Sequence, residues 1–251
     1  MDKLSPTEYG NALGSIDRKS CGAVYPLSVA ENIQDGDIYT DGKAALFRHC
    51  GGFAFLYGEY DENTLEWIYD NFLSPDSITI RRFVLFTADD RAIRFFTDKE
   101  NISVDKRYFF EYPENAPARE ILLPDNIRLC EITEELCGRI QGFVVPSLYW
   151  NGSSNFLKSG KGYCAMDGDI PAAWAFSSAV SADETDIGVE TRSDHRQWGL
   201  GAAVAARMVQ YCLETNKRPV WACNAANAAS NALAVRTGFI KSSECHIIRK
   251  S

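Results

Sequence analysis

Residues 186–201, Asp186-Ile-Gly-Val-Glu190-Thr191-Arg-Ser-Asp-His-Arg196-Gln-Trp-Gly199-Leu-Gly201, decide the fold. Asp186–Thr191 reads as a strand. A short polar loop follows, and a helix then runs to about Thr215, with Leu200, Val204, Met208 and Tyr211 or Cys212 on one face and Arg207, Gln210 and Glu214 on the other. A strand that feeds a glycine-containing turn at a helix start is an anion site, because free N–H groups and the positive end of the helix dipole converge there. Gly199 and Gly201 let an anion come close to the backbone, Arg196 adds a positive charge, and a diphosphate matches that arrangement. The plainer alternative is a helix packed tightly on a strand.

Downstream, the apolar run Pro219–Cys223 is a buried strand, and a second helix carrying Asn227 and Ser230 closes at Gly238-Phe239, where glycine suits the left-handed position past a helix end. Upstream, Gly162–Met166 and Ile170–Ser178 flank Asp167-Gly168, the pattern of a tight hairpin. Before that hairpin lie a strand at Ile127–Glu131, a helix opening at Thr133, and a stretch from Pro146 to Gly160 that reads as a long loop bearing Tyr149, Trp150 and Phe156. Those aromatics are either core or the wall of a ligand pocket.

In the amino-terminal half, strands at Ala44–Phe47, Phe53–Tyr57, Arg82–Thr87 and Arg107–Glu111 alternate with a helix whose Leu65, Ile68, Tyr69 and Phe72 share one face and a short helix at Asp89–Phe96. Pro113, Pro117 and Pro124 mark a segment without apolar periodicity, so the expected boundary lies near residue 120, giving domains 1–120 and 121–251. The sequence shows no internal repeat.

With 45% hydrophobic and 24% charged residues, the 251-residue chain has the composition of an ordinary globular protein. Its net charge of −8 argues against a nucleic-acid partner. Eight cysteines at irregular spacing, with three histidines, form neither a zinc pattern nor a disulfide framework, and no metal is expected. The amino terminus lacks the profile of a signal peptide and no run reaches the length of a membrane span, so a reducing cytoplasm is the expected location.

Arg196-x-x-Gly199-x-Gly201 at a helix start, followed by a strand and by Asn227 and Ser230 in a helix closed by Gly238-Phe239, resembles the GNAT acetyltransferase superfamily. Ile187-Gly-Val-Glu-Thr191, Trp221-Ala-Cys-Asn224 and Asn227-x-x-Ser230 are similar, more narrowly, to the zwittermicin A resistance acetyltransferases. The resemblance spans residues 160–240. It implies an α/β protein in which a mixed, mostly antiparallel sheet flanked by helices fills 121–251, preceded by a smaller α/β domain.

It further implies an N-acetyltransferase that moves an acetyl group from acetyl-coenzyme A directly to the amine of a small molecule or peptide. The pyrophosphate would rest on the amides of Gln197, Trp198, Gly199, Leu200, Gly201 and Ala202, with Arg196 beside it. The pantetheine arm would run along strand 186–191, pairing with the backbone at Val189 and Thr191, and Asn224, Asn227 and Ser230 would reach the arm or the phosphates. Helix capping by Asn227 and surface placement of Ser230 are the plain alternatives.

An alkylamine with a pKa of about 10.4 must lose a proton before it attacks a thioester, so a base is needed. Glu190, beside the stretch whose backbone would hold the acyl group, is the first candidate, and Asp186 the second. His195 reads as a solvated loop residue and Cys223 as a buried apolar one. Many enzymes of this kind carry a tyrosine four residues before the glycine of the final Gly-Phe, where Ala234 stands here. That substitution leaves open a non-catalytic protein that binds coenzyme A as a sensor or scaffold. The acceptor site is expected between the two domains, against residues 146–160.

Overall fold

Apolar alternation with tight turns builds an antiparallel meander near the amino terminus of the computed structural model, which describes residues 1–77 and 82–251. The chain divides into two units: Met1–Tyr108 with Asn224–Ala226 and Ser243–Ser251, and Phe109–Cys223 with Asn227–Ser242.

In the first unit, β1 (Asp2–Lys3), a 3-10 stretch (Pro6–Ser15) and α1 (Val24–Ala30) precede β2 (Gly36–Thr40), β3 (Ala44–His49) and β4 (Phe53–Gly58), each antiparallel to the strand before. Asp61 then accepts from Thr64 N at 3.0 Å and starts α2 (Glu62–Ile68), which continues through one π turn (Tyr69–Leu73) to Ser74. The helical face foreseen from Leu65, Ile68 and Phe72 is buried, with Tyr69 at its edge. Next come β5 (Val84–Thr87), parallel to β4, and α3 (Asp90–Thr97), capped by Asp89. Successive side chains of a strand point to opposite faces. Leu46 accordingly joins a core with Leu65, Phe83 and Phe96, and Phe47 a second core with Tyr9, Leu27 and Ile38. β6 (Ile102–Glu111) follows.

In the second unit β7 (Ile127–Glu131) leads to α4 (Glu134–Arg139), whose first turn Thr133 caps by accepting from Leu136 N. α5 (Pro146–Tyr149) and α6 (Ser153–Ser159) precede β8 (Gly162–Asp167), β9 (Ile170–Val180) and β10 (Glu184–Thr191), then α7 (Leu200–Glu214), β11 (Arg218–Asn224) and α8 (Ala228–Thr237). Strand order is β11-β10-β9-β8-β7, antiparallel except that β11 runs parallel to β10. The chain ends in β12 (Ile240–Lys250), whose residues 246–249 pair antiparallel with β5. This is the mixed, mostly antiparallel α/β architecture expected. Segment 113–124 holds no regular element, but Tyr112 Oη donates to Pro117 O at 2.9 Å and Arg119 Nη1 to Arg236 O at 2.7 Å.

Two expectations change. Residues 146–160 are not a loop: they form α5 and α6, helices too short to show an apolar stripe. Although no repeat is visible in the sequence, the order of elements recurs. Three antiparallel strands, a helix, a strand parallel to the third, and a second helix make up β2–α3 and again β8–α8. The copies differ where the first helix begins, with Asp61 and Glu62 in one and Gly199 and Leu200 in the other.

The three aromatics of 146–160 are core, since Tyr149, Trp150 and Phe156 are 7%, 3% and 1% exposed. Trp150 Nε1 donates to Ser177 O at 2.8 Å, its ring lies against Phe156, and both Phe156 and Tyr149 pack on Phe176. Trp150→Ala should therefore destabilise the protein by roughly 3–5 kcal/mol, read as a lower midpoint in denaturant unfolding. An unchanged midpoint would contradict this placement.

Candidate active site

β10 is bonded on one side along its whole length and on the other only at its start. Register with β9 runs from Thr185↔Val180 to Thr191↔Ala173, whereas register with β11 stops at Asp186↔Val220. A bulge at Asp186/Ile187 bends the strand where the parallel partner leaves it. Arg192 N donates to Ala172 O of β9, and backbone groups alternate sides along a strand. The N–H and C=O of Gly188 and Glu190 thus face β9, and those of Val189 and Thr191 face the gap. Val189 and Thr191 are the two residues foreseen to pair with an extended ligand.

At the carboxyl end of that gap the backbone turns left-handed twice, at Gln197 (φ 69°) and Gly199 (φ 82°), before α7 starts. Glycine relieves the second of these. Gly201 is required for space, because a Cβ there would lie 2.8 Å from Thr191 Oγ1. Arg196, Gln197 and Trp198 are exposed, Leu200 and Ala202 are buried, and the amides of Ala202 and Ala203 both donate to Gly199 O at 3.1 Å. The amides that precede them have no carbonyl one turn back within the helix.

The second helix supplies one residue not anticipated, Arg236 in its last turn. Its Nη2 lies 3.7 Å from where a Cβ on Gly199 would sit, so a guanidinium lies beside the turn. A cation in a last turn is ordinarily explained by the helix dipole, which hid this placement in the sequence. Asn227 caps α8, accepting from Ser230 N at 3.0 Å, and Ser230 Oγ accepts from Trp221 Nε1 at 3.2 Å. Asn224 Oδ1 accepts from Ala226 N at 2.8 Å as β11 ends. Capping thus occupies the Asn227 side chain, as its plainer alternative held.

On the opposite face of β10, Glu190 Oε2 accepts from Phe143 N at 2.9 Å and Val144 N at 2.7 Å, and a side chain at Gly142 would run into this carboxylate. Trp174 Nε1 holds the same loop through Val144 O at 2.7 Å. Phe143 stands out from it, 88% exposed. No signal in the sequence links residues 142–144 to Glu190. Asp186 is 4% exposed, and its Oδ2 accepts from Ser178 Oγ at 2.7 Å.

His195 corrects the expectation of a solvated residue. It is 6% exposed, with Nδ1 2.7 Å from Asp194 and Nε2 3.3 Å from Asp167, under the Trp198 ring. The Arg192 guanidinium, then His195, hold the Asp194 carboxyl well below the usual carboxylate range. Cys223 is buried, as foreseen, with Sγ 3.4 Å from Asn231 Oδ1.

The family model of the GNAT acetyltransferases matches residues 23–248. The chain belongs to the GNAT acetyltransferases. It is 23% identical to an uncharacterized N-acetyltransferase, YdfB, of Bacillus subtilis (strain 168), over 95% of this chain and 94% of that protein. Its fold is similar to a GCN5-related N-acetyltransferase-like protein of Streptococcus suis 89/1591 at a TM-score of 0.75 and 19% identity, over 98% of this chain and 100% of that one. It also resembles a GCN5-related N-acetyltransferase of Sphaerobacter thermophilus, with a TM-score of 0.62 and 12% identity over 99% and 94% of the two chains.

This GNAT acetyltransferase is therefore an enzyme of a family that acts on amine acceptors with acetyl-coenzyme A. Its Ala234, at the position where many members carry tyrosine, is fully buried. Among the described residues no helix is long and apolar enough to cross a membrane, and no three His, Cys, Asp or Glu side chains gather as metal ligands.

Proposed function

We propose that the protein transfers an acetyl group from acetyl-coenzyme A directly to the amine of a small molecule or peptide, using the gap beside β10. The supporting observation is the pair of backbone positions facing the gap, Val189 and Thr191, leading to the left-handed turn at 197–199 that Arg236 approaches. A thioester-bearing cofactor with a diphosphate fits this cleft: an extended arm meets unpaired strand groups, and the diphosphate meets a helix start without a Cβ at residues 199 and 201. Gln197 to Ala202 are the backbone contacts we assign to the diphosphate. Asn227 and Ser230, at the start of α8, are further contacts we assign to the cofactor, as is Asn224 at the end of β11. The narrower kinship with the zwittermicin A resistance acetyltransferases is part of this proposal, carried by Ile187–Thr191, Trp221–Asn224 and Asn227-x-x-Ser230.

When bound, the cofactor supplies an activated acetyl group. The chain's residues supply position and charge. Holding both reactants removes much of the entropic barrier, and the Val189 N–H in the gap is aimed to stabilise charge developing on the carbonyl oxygen. Glu190 is the proposed base: Oε2 holds the 143–144 loop, and Oε1, without a hydrogen-bond partner among the described residues, takes the amine proton directly or through water. Asp186, buried against Ser178 at the last paired register, maintains the bend instead. A thiolate is a tolerable leaving group because thiol pKa values lie near 8.5, so Ala234 does not forbid turnover.

Phe143, on the loop that Glu190 holds, is the apolar group we place against the acceptor, in the role first sought among the aromatics of 146–160. Release of free thiol from acetyl-coenzyme A, followed across a panel of small amines and peptide amino termini, tests the proposal. Calorimetry showing no binding at millimolar cofactor would end it.

A further inference from the structure

All eight cysteines are thiols, and two of them, 224 positions apart in sequence, meet in the amino-terminal unit. Cys21 sits half-buried in the turn before α1. Its Sγ lies 3.1 Å from Ser243 Oγ and 3.8 Å from Glu244 O. Ser243 and Cys245 are two apart on β12, so both side chains leave the same face of the strand. Cys21 therefore lies on the face that carries Cys245, which is 4% exposed. We infer that Cys21 and Cys245 are a reversible redox pair that closes into a disulfide.

The division of labour follows from burial: Cys21 is half-buried and Cys245 fully so, and the neighbouring Cys21 side chain, then burial, push the Cys245 thiol up. Cys21, the more accessible sulfur, is the attacking group and Cys245 the resolving one. With a low-molecular-weight disulfide such as oxidised glutathione as oxidant, the Cys21 thiolate attacks one glutathione sulfur, its S–S bond breaks, and glutathione thiolate leaves. Cys245 gives up its proton and attacks the Cys21 sulfur, expelling the second glutathione. Two protein thiols are oxidised and one disulfide is reduced to two thiols.

A second pair is arranged differently. Cys130 and Cys164 stand opposite each other on β7 and β8, but Cys130 Sγ points at Cys164 O, and Cys164 Sγ lies 3.5 Å from Met166 Sδ. Burial pushes the Cys164 thiol up to about 12, which keeps it protonated.

Closure would tie the turn before α1 to the strand whose residues 246–249 pair with β5. The test treats the full-length protein with oxidised glutathione, unfolds it in denaturant containing N-ethylmaleimide to trap every remaining thiol, and maps peptides by mass spectrometry. Two of the eight thiols should escape alkylation, in one cross-linked peptide pair holding Cys21 and Cys245, and dithiothreitol should restore both. In Cys245→Ser, glutathione should remain attached at Cys21, showing which thiol attacks first. Eight alkylated thiols, a cross-link between other cysteines, or glutathione persisting on Cys21 of the unaltered chain would each overturn the inference.

Discussion

Gly201→Asp should weaken acetyl-coenzyme A binding at least tenfold, about 1.4 kcal/mol, in isothermal titration calorimetry. Two effects act in the same direction. A Cβ at this position would lie 2.8 Å from Thr191 Oγ1, so either the hydroxyl or the helix start must move and the width of the gap changes. The carboxylate also brings a negative charge to a helix start where the proposed ligand carries a diphosphate, reversing the favourable interaction with the dipole. Gly201→Ala separates the two, keeping the crowding without the charge, and should fall between the aspartate variant and the unaltered protein. Arg196→Glu reverses charge at an exposed side chain and should reach a similar loss without crowding. If affinity is unchanged in both Gly201→Asp and Arg196→Glu, the diphosphate lies elsewhere.

Glu190→Gln should lower kcat by roughly 10²–10⁴, the usual range for a general base, with the largest loss on the acidic side of the pH profile. Below the pKa of the acceptor most amine is protonated, and there the rate depends most on a group that removes the proton. Cofactor affinity should stay near its original value, because the Glu190 side chain lies on the face of β10 away from α7. Glutamine keeps an oxygen for Phe143 N and Val144 N, so the loop stays held. Glu190→Ala removes both functions and should add a higher KM for the acceptor. A pH profile in Glu190→Gln parallel to that of the unaltered enzyme would transfer the proton to another group, while a rise in KM alone would make Glu190 a positioning residue.

The glycine turn at the start of α7 was legible in the sequence because it is local: Arg196, Gly199 and Gly201 lie within one turn. The Thr133 and Asn227 caps and the Asp167-Gly168 hairpin were visible for the same reason: each bond spans only a few residues. The contacts around Glu190 and His195 were not legible. The Glu190 contact with Val144 bridges 46 positions, and His195 meets Asp167 across 28. Tyr149, Trp150 and Phe156 misled in a different way, since their segment folds into helices of four and seven residues, too short for periodicity to distinguish core from loop. The recurrence of the element order stayed hidden because it is carried by topology, with acidic residues in one copy where the other has its glycine turn.

Because register between β10 and β11 ends at Asp186↔Val220, the sheet of the carboxy-terminal unit is left with a seam that the proposed cofactor would complete. A ligand that joins only the folded chain stabilises it by mass action, by about 2.7 kcal/mol when present at a hundred times its dissociation constant. Marginal stability makes such an increment a large fraction of the total. If acetyl-coenzyme A binds as proposed, its concentration around this enzyme would shift the balance between folded and unfolded chains as well as the rate of turnover.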